Sequence, residues 1–395
     1  MSKLQSKPKS GWAVFYWSSL LLLGACRNDI RTIQELVSLD APSHFPPADF
    51  FETTSARLEL GRHLFYDTRL SVNGTRSCGI CHEQAKAFSD GLIQSLGVYN
   101  DPIPFNSIAL FNLAWKTELT WNKQIDDVST HMEIPLFSTS PLEMGMTDAL
   151  LEERLKLNEM YVDLFTEAFP EDPAPITTSN TIQAIADFSN SIVSGDSPYD
   201  RWLLGKADLD TDVLEGWTLF QEFGCNACHG GVFFDQPDPE RTGVESRHGY
   251  FNTGLYNLED NGSYPIVAQG LYETTGQMED MGKFRVPTLR NLTYTYPWMH
   301  DGSEISLRHI IESYARGGRQ ITSGPNQGDG LLNPYKSGLI NGFEITDTET
   351  DQLILFLESL NDDTLIQDTR WENPFCIERQ GIIINEPCEA PFELE

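Results

Sequence analysis

Two short runs carry the chemistry of this sequence: Cys78-Gly79-Ile80-Cys81-His82 and Cys225-Asn226-Ala227-Cys228-His229. Two thiols at this spacing can each close a thioether to a haem vinyl group, and the histidine that follows is placed to coordinate the iron. Other uses of paired cysteines fit less well. Zinc ribbons separate their pairs by about 15–20 residues, whereas Cys225 lies 144 residues beyond Cys81. A thioredoxin-like dithiol does not call for a histidine directly after its second cysteine, and here one stands there both times. The sequence predicts two covalently attached c-type haems, ligated by His82 and His229.

Porphyrins held this way need apolar walls, and the flanking periodicity supplies them. Ser55 to Phe65 reads as a short helix ahead of the first run. Leu151, Leu155, Leu164, Phe165 and Phe169 fit an amphipathic helix over 150–169, and Ile182, Ile185, Ala186 and Ile192 suggest another. Ser194 to Ser197 breaks that pattern, which puts a boundary near Tyr199. Val213, Trp217 and Phe220 share a helical face before the second run, while Gly, Asn, Asp and Pro recur through 230–285, a loop expected to wrap the second haem. Thr346-Asp347-Thr348-Glu349 is a capping box ahead of Leu353, Phe356, Leu357 and Leu360. No strand pattern stands out. The expected fold is mainly α: two cytochrome c-like haem domains with long loops, over 52–199 and 200–365, followed by a tail over 366–395.

The chain has 395 residues, 58 of them acidic and 27 basic, for a formal net charge of −31. Such a field disfavours nucleic acid and anionic membrane surfaces and favours solubility or a basic partner protein. Lys3, Lys7 and Lys9 precede an apolar run from Trp12 to Leu23. That run is shorter than the roughly 20 residues a membrane span takes, and so reads as an export signal. Leu23-Gly24-Ala25-Cys26 resembles a bacterial lipobox, with Cys26 the lipidated residue. Because Arg27-Asn28 lacks the Asp that commonly marks inner-membrane retention, the expectation is a lipid anchor in the outer membrane, on the periplasmic side. Residues 27–51 read as a tether. In that oxidising compartment Cys376 and Cys388 are expected to form a disulfide.

From about Leu58 to Leu360 the chain resembles the bacterial di-haem cytochrome c peroxidases and their MauG-type relatives. The motifs are Phe65-Tyr66-Asp67-Thr68-Arg69-Leu70-Ser71, both haem runs, Leu142-Glu143-Met144-Gly145, Phe284-Arg285-Val286-Pro287-Thr288-Leu289-Arg290-Asn291, His300-Asp301-Gly302-Ser303 and Tyr314 to Gly318. The resemblance implies that hydrogen peroxide reacts at the N-terminal haem. Peroxidases that block that iron at rest carry a histidine sixteen residues after the proximal one; here that position is Val98, and His131 is the next histidine along. Glu143 matches the family's distal acid, against the alternative of a loop carboxylate. His131 stands where a distal glutamine is usual, either to hydrogen-bond peroxide or to fill space. Trp121 matches a tryptophan between the haems, with an ordinary core aromatic as the alternative. Asn106 and the carbonyls of Thr295 and Pro297 match an inter-haem calcium site.

The partner of His229 on the second iron separates the branches. Electron-transferring peroxidases use a methionine fourteen residues after the histidine of Pro-x-x-His; in Pro297-Trp298-Met299-His300 that count reaches Tyr314, as in MauG-type proteins. A phenolate suits a highly oxidised iron better than a thioether does, with Met299 as the rival ligand. The loops Asn252-Thr253-Gly254-Leu255-Tyr256-Asn257 and Glu279-Asp280-Met281-Gly282 look closest to a subgroup associated with methanobactin and copper-binding partners, whose members oxidise a partner's tryptophan to kynurenine. Three functions are thereby expected to compete: a peroxide-driven, high-valent oxidant of a partner protein's aromatic residue, a peroxidase drawing electrons from a small cytochrome, and a non-enzymatic electron carrier. The mature protein should stain for covalent haem after denaturing electrophoresis and show an intact mass with two haems. A mass carrying one or none would refute the attachment through Cys78/Cys81 and Cys225/Cys228.

Overall fold

The computed structural model describes residues 36–48, 51–242 and 249–375. The leader, Cys26, Cys376 and Cys388 lie outside them. The fold is mainly α. Helices of six residues or more are α1 (Ser55–Tyr66), α2 (Val128–Phe137), α3 (Asp148–Lys156), α4 (Glu159–Ala168) and α5 (Thr178–Asn190) in the first half. The second half has α6 (Pro198–Leu203), α7 (Thr211–Glu222), α8 (Leu307–Arg316) and α9 (Asp347–Glu358). Strands among the described residues are two-residue antiparallel ladders only, such as Tyr250–Phe251 against Phe284–Arg285.

Local chemistry sets most helix ends. Thr54, Asp127, Thr147, Asn158, Thr177 and Ser306 each accept an N–H of the first turn at the start of α1, α2, α3, α4, α5 and α8. The capping box read at Thr346 and Glu349 is present on α9, and Ser197 with Asp200 makes a second one on α6. The single helix expected over 150–169 is two. Asn158 caps a new start, and the chain turns between Lys156 and Glu159 so that Leu151 and Leu155 on one side and Tyr161 and Phe165 on the other reach the same core. Helix α2 has Pro135 within it, a residue that removes a helical hydrogen bond and hides the helix from pattern reading.

Each haem run sits in its own apolar cluster. In the first, α1 crosses α5 where Gly61 faces the carbonyl of Ala184; a methyl group on Gly61 would lie 2.0 Å from that oxygen. In the second, α7 crosses α9 in the same way, with Gly216 against the carbonyl of Gln352, again at 2.0 Å. The helix before each haem run thus packs, through one glycine, on the last long helix of its lobe. Phe188 and Phe356, four residues beyond the two carbonyls, flank the two crossings. A third cluster, Leu255, Tyr256, Tyr264, Ala268, Met281 and Phe284, is built from the long loop of the second half.

The two ends of the described chain pack back on the body of the fold. Residues 36–48 do not trail as the tether that their composition suggests. Phe45 is buried against Trp115, Phe233 and the guanidinium of Arg290, and His44 Nε2 lies 2.9 Å from Asp200 Oδ1. The aromatic ring outweighs the polar residues around it. At the other end, residues 365–375 return to the first lobe, where Tyr66 donates to the Trp371 carbonyl at 2.6 Å and Leu365 and Trp371 enter the core. Arg290 and Asp200 form a buried bidentate pair at 2.8 Å on both arms. Burial pushes the Asp200 carboxyl up, but the Arg290 hydrogen bonds and charge prevail and hold it at about 2.

Filling the crossings should be costly. Gly61→Ala and Gly216→Ala should each lose about 1–3 kcal/mol in denaturant unfolding, the range for overpacked cores. Gly338→Ala, where an added methyl group meets nothing within 4 Å, should be neutral.

Candidate active site

The first haem run folds as one helical turn, Cys78–Cys81, and its last N–H bond runs from His82 to the Cys78 carbonyl at 2.8 Å. A tight turn through Ala87 and Phe88, both at positive φ, returns the Phe88 carbonyl to the imidazole, 3.0 Å from Nδ1. Ser107 Oγ stands 3.3 Å from the same nitrogen and donates to the Cys81 carbonyl at 2.7 Å. A carbonyl can only accept, so Nδ1 carries the proton and Nε2 keeps its lone pair for a metal. Burial draws the His82 pKa down to about 4 and pushes both thiols up to about 12. Burial thus keeps the imidazole neutral near pH 7.

The second run repeats this design. His229 Nδ1 lies 3.2 Å from the Phe234 carbonyl and 3.1 Å from that of Pro287. Over it opens a cavity of about 340 Å³, lined by Cys225, Cys228, His229, Trp121, Tyr314, Met299 and His300 among others. Burial pushes the Tyr314 phenol well above its usual range, and the two cysteine sulfurs are close enough to raise it further. Met299 lines the same cavity and packs against the third cluster.

Trp121 joins the two sites. Its indole Nε1 donates to the Asn106 carbonyl at 2.9 Å, and Asn106 adjoins Ser107, the residue hydrogen-bonded at His82. Its own carbonyl accepts the Arg285 N–H at 2.9 Å, and two residues on from Arg285 is the Pro287 carbonyl that meets His229. The guanidinium of Arg285 is buried, with its centre 5.8 Å from the middle of the Trp121 ring. Trp121 is therefore linked to the His82 segment through its indole N–H and to the His229 segment through its backbone carbonyl.

Val98 and Glu143 are neighbours. The Val98 N–H donates to the Glu143 carbonyl at 2.9 Å, and Gly97 is pressed on Leu142 so closely that a methyl group there would lie 2.0 Å from its oxygen. Val98, sixteen residues after His82, thus stands beside Glu143 and carries a side chain that cannot ligate a metal. Burial pushes the Glu143 carboxyl up to about 7. His131, on α2, is drawn down to about 4 by burial, with His82 and Arg285 near enough to add to the effect. It lines the cavity with Trp121 and His229 and lies within electrostatic reach of His82. Asn106, Thr295 and Pro297 line one stretch of the cavity wall. The Asn106 amide donates to the Leu92 carbonyl at 2.7 Å, which leaves its oxygen as the free end. That oxygen set suits a hard cation, although no cluster of three acidic, His or Cys ligands occurs among the described residues.

Residues 55–208 match the family described as di-haem cytochrome c peroxidase. The methylamine utilization protein MauG of Methylorubrum extorquens is 31% identical over 333 residues, 83% of this chain and 85% of the relative. This protein belongs to the di-haem cytochrome c peroxidase/MauG family. Cytochrome c551 peroxidase of Nitrosomonas europaea is 31% identical over 65% of this chain and 72% of its own. A solved MauG-like protein associated with microbial copper homeostasis superposes with a TM-score of 0.81 at 38% identity, over 86% of this chain and all of that one. The fold is shared, at 20% identity and a TM-score of 0.62, with the diheme peroxidase BthA of Burkholderia thailandensis. As a family member, the protein is a peroxide-dependent oxidoreductase with two c-type haems.

Ser107 belongs to no motif and escapes a reading of motifs alone. Arg285 and His300 are visible within motifs, but their settings are not: Arg285 lies over Trp121, and His300 is buried with Nε2 unpartnered, stacked on Phe284 at 3.5 Å between ring centres. A carboxyl at about 7 is protonated below that pH and able to accept a proton above it. The rate of reaction with peroxide, followed by stopped-flow haem absorbance, should therefore rise with pH through about 7. Glu143→Gln should remove that rise and slow the reaction by about 10²–10⁴-fold, the usual worth of a positioned acid–base group.

Proposed function

We propose that this protein uses hydrogen peroxide to oxidise an aromatic residue, a tryptophan, of a partner protein, in the MauG manner. The observation that carries this reading is the Trp121 link between His82 and His229 through Asn106–Ser107 on one side and Arg285–Pro287 on the other. Bound at the two runs, the haem pair supplies the two-electron reduction of peroxide and holds the oxidising equivalents. Glu143, its carboxyl pushed up to about 7 by burial, takes a proton from one peroxide oxygen and returns it to the other. His131 hydrogen-bonds the bound peroxide. Tyr314, which lines the cavity with His229, would serve with it as a ligand of the second haem, and Trp121 would relay charge between the two sites. Asn106, with the carbonyls of Thr295 and Pro297, holds calcium beside that relay.

The partner is periplasmic, and its docking is favoured by a basic face toward a chain of charge −31. The copper association of the 38% identical structure supports a copper-handling partner. The protein is anchored to the outer membrane through Cys26, and Cys376–Cys388 closes the tail. A cytochrome c peroxidase fed by a small cytochrome is the second reading, favoured by Met299, which lines the same cavity.

The two ligands distinguish them. In the purified di-haem protein, Tyr314→Phe should change the ferric spectrum of one haem and abolish the peroxide-oxidised state shared by the pair. Met299→Leu should leave both intact. Loss of a ligand in Met299→Leu alone would replace the first reading with the second.

A further inference from the structure

Behind the second haem cavity, in the cluster against which Trp121 packs, lies an aromatic series. Phe284 stacks on His300. Tyr264 lies 6.0 Å from Phe284 and 6.3 Å from His300, and Tyr256 meets Tyr264 edge-on at 5.4 Å. Trp121, Tyr264, Phe284 and His300 line the cavity, and Tyr256 stands one ring behind them.

The two tyrosines differ in what their hydroxyls meet. Tyr264 donates to Asn252 Oδ1 at 2.8 Å and accepts the Leu255 N–H at 3.2 Å. An amide oxygen cannot take a proton away. Tyr256 donates to Asp301 Oδ2 at 2.5 Å, and Asp301 is held by the Ser303 N–H on its other oxygen at 3.1 Å. A phenol that loses an electron becomes a strong acid, so its oxidation is easy only where a base already holds the hydrogen bond. The Arg319 guanidinium lies 4.6 Å from the centre of the Tyr256 ring, fixed by Glu304 at 3.0 Å, Ser303 at 2.8 Å and the Leu255 carbonyl at 3.1 Å. A fixed cation over the ring opposes a second positive charge on it. The electron can leave Tyr256 only with the proton.

We propose that Tyr256 and Asp301 form a redox relay that carries oxidising power out of the haem pair toward the protein substrate, which deepens and rests on the function proposed above. One electron passes from Tyr256 past Tyr264 to the peroxide-oxidised haem pair, which is reduced by one equivalent. The phenolic proton moves to Asp301 Oδ2, leaving a neutral phenoxyl radical and a carboxylic acid. An electron from an aromatic side chain of the partner, with the proton returned by Asp301, restores Tyr256. Hydrogen peroxide is the oxidant throughout: its reduction to two waters takes up two electrons and two protons, enough for two such passages.

The test uses the full-length di-haem protein, mixed with one equivalent of hydrogen peroxide without partner and freeze-quenched for electron paramagnetic resonance. A protein radical is expected, with its hyperfine pattern narrowed when the protein is made with ring-deuterated tyrosine. Tyr256→Phe and Asp301→Asn should each lower its yield at least tenfold with unchanged ferric haem spectra, and Tyr264→Phe should retain it. The labelled wild-type protein gives a readout that needs no variant to fold. A radical insensitive to tyrosine labelling, or one of full size in Tyr256→Phe, overturns the relay while the oxidised haem spectrum leaves the proposed function standing. Absence of that oxidised spectrum in the wild-type protein would overturn both.

Discussion

A neutral imidazole offers a metal one nitrogen, and which one depends on where the ring proton is held. In both haem runs the proton is pinned on Nδ1 by backbone carbonyls, Phe88 for His82 and Phe234 with Pro287 for His229. The rest of the structure follows from placing those carbonyls. A left-handed turn at Ala87–Phe88 delivers one, and Phe234, itself at positive φ, delivers another. Pro287 arrives from the stretch that also brings Arg285 to Trp121. The elements that set the iron ligands therefore set the connection between the irons as well.

The distribution of charge obeys a second constraint. A chain of net charge −31 keeps several of its few cations inside. Arg290 is paired with Asp200, Lys116 with Asp235, and Arg285 lies buried against Trp121. Buried charge persists only where paired or hydrogen-bonded. Arg285 donates to the Thr120 and Val286 carbonyls; burial lowers its pKa, and the nearby Asp235, Tyr250 and Glu118 offset only part of that. Its place over the indole makes a positive charge on Trp121 costly. Arg319 does the same for Tyr256, where Asp301 is there to remove the proton.

Helices were legible where periodicity and caps agreed. Thr346 to Glu349 marks the start of α9, and Val213, Trp217 and Phe220 mark the body of α7. Legibility failed where one local residue contradicted the pattern. Pro135 masked α2, the helix that carries His131, and Asn158 split one periodic run into α3 and α4. The segment from 36 to 48 looked like a tether because composition counts residues, whereas packing depends on where a single ring lands. Phe45 lands between Trp115, Phe233 and Arg290.

By itself the sequence determined the covalent chemistry. Two cysteines and a histidine fall within one turn, and that spacing is a property of the chain before it folds. The family motifs likewise named Glu143, Trp121 and Tyr314 as candidates. What only tertiary structure decided is which of these residues meet. Val98 lies against Glu143, Trp121 links the segments of both proximal histidines, and Tyr256 finds Asp301, all through contacts between segments far apart along the chain. Such contacts depend on two glycine-mediated helix crossings and on loops whose backbone donors and acceptors must all be satisfied at once. No local pattern encodes those meetings, since each is fixed by the packing of every other segment.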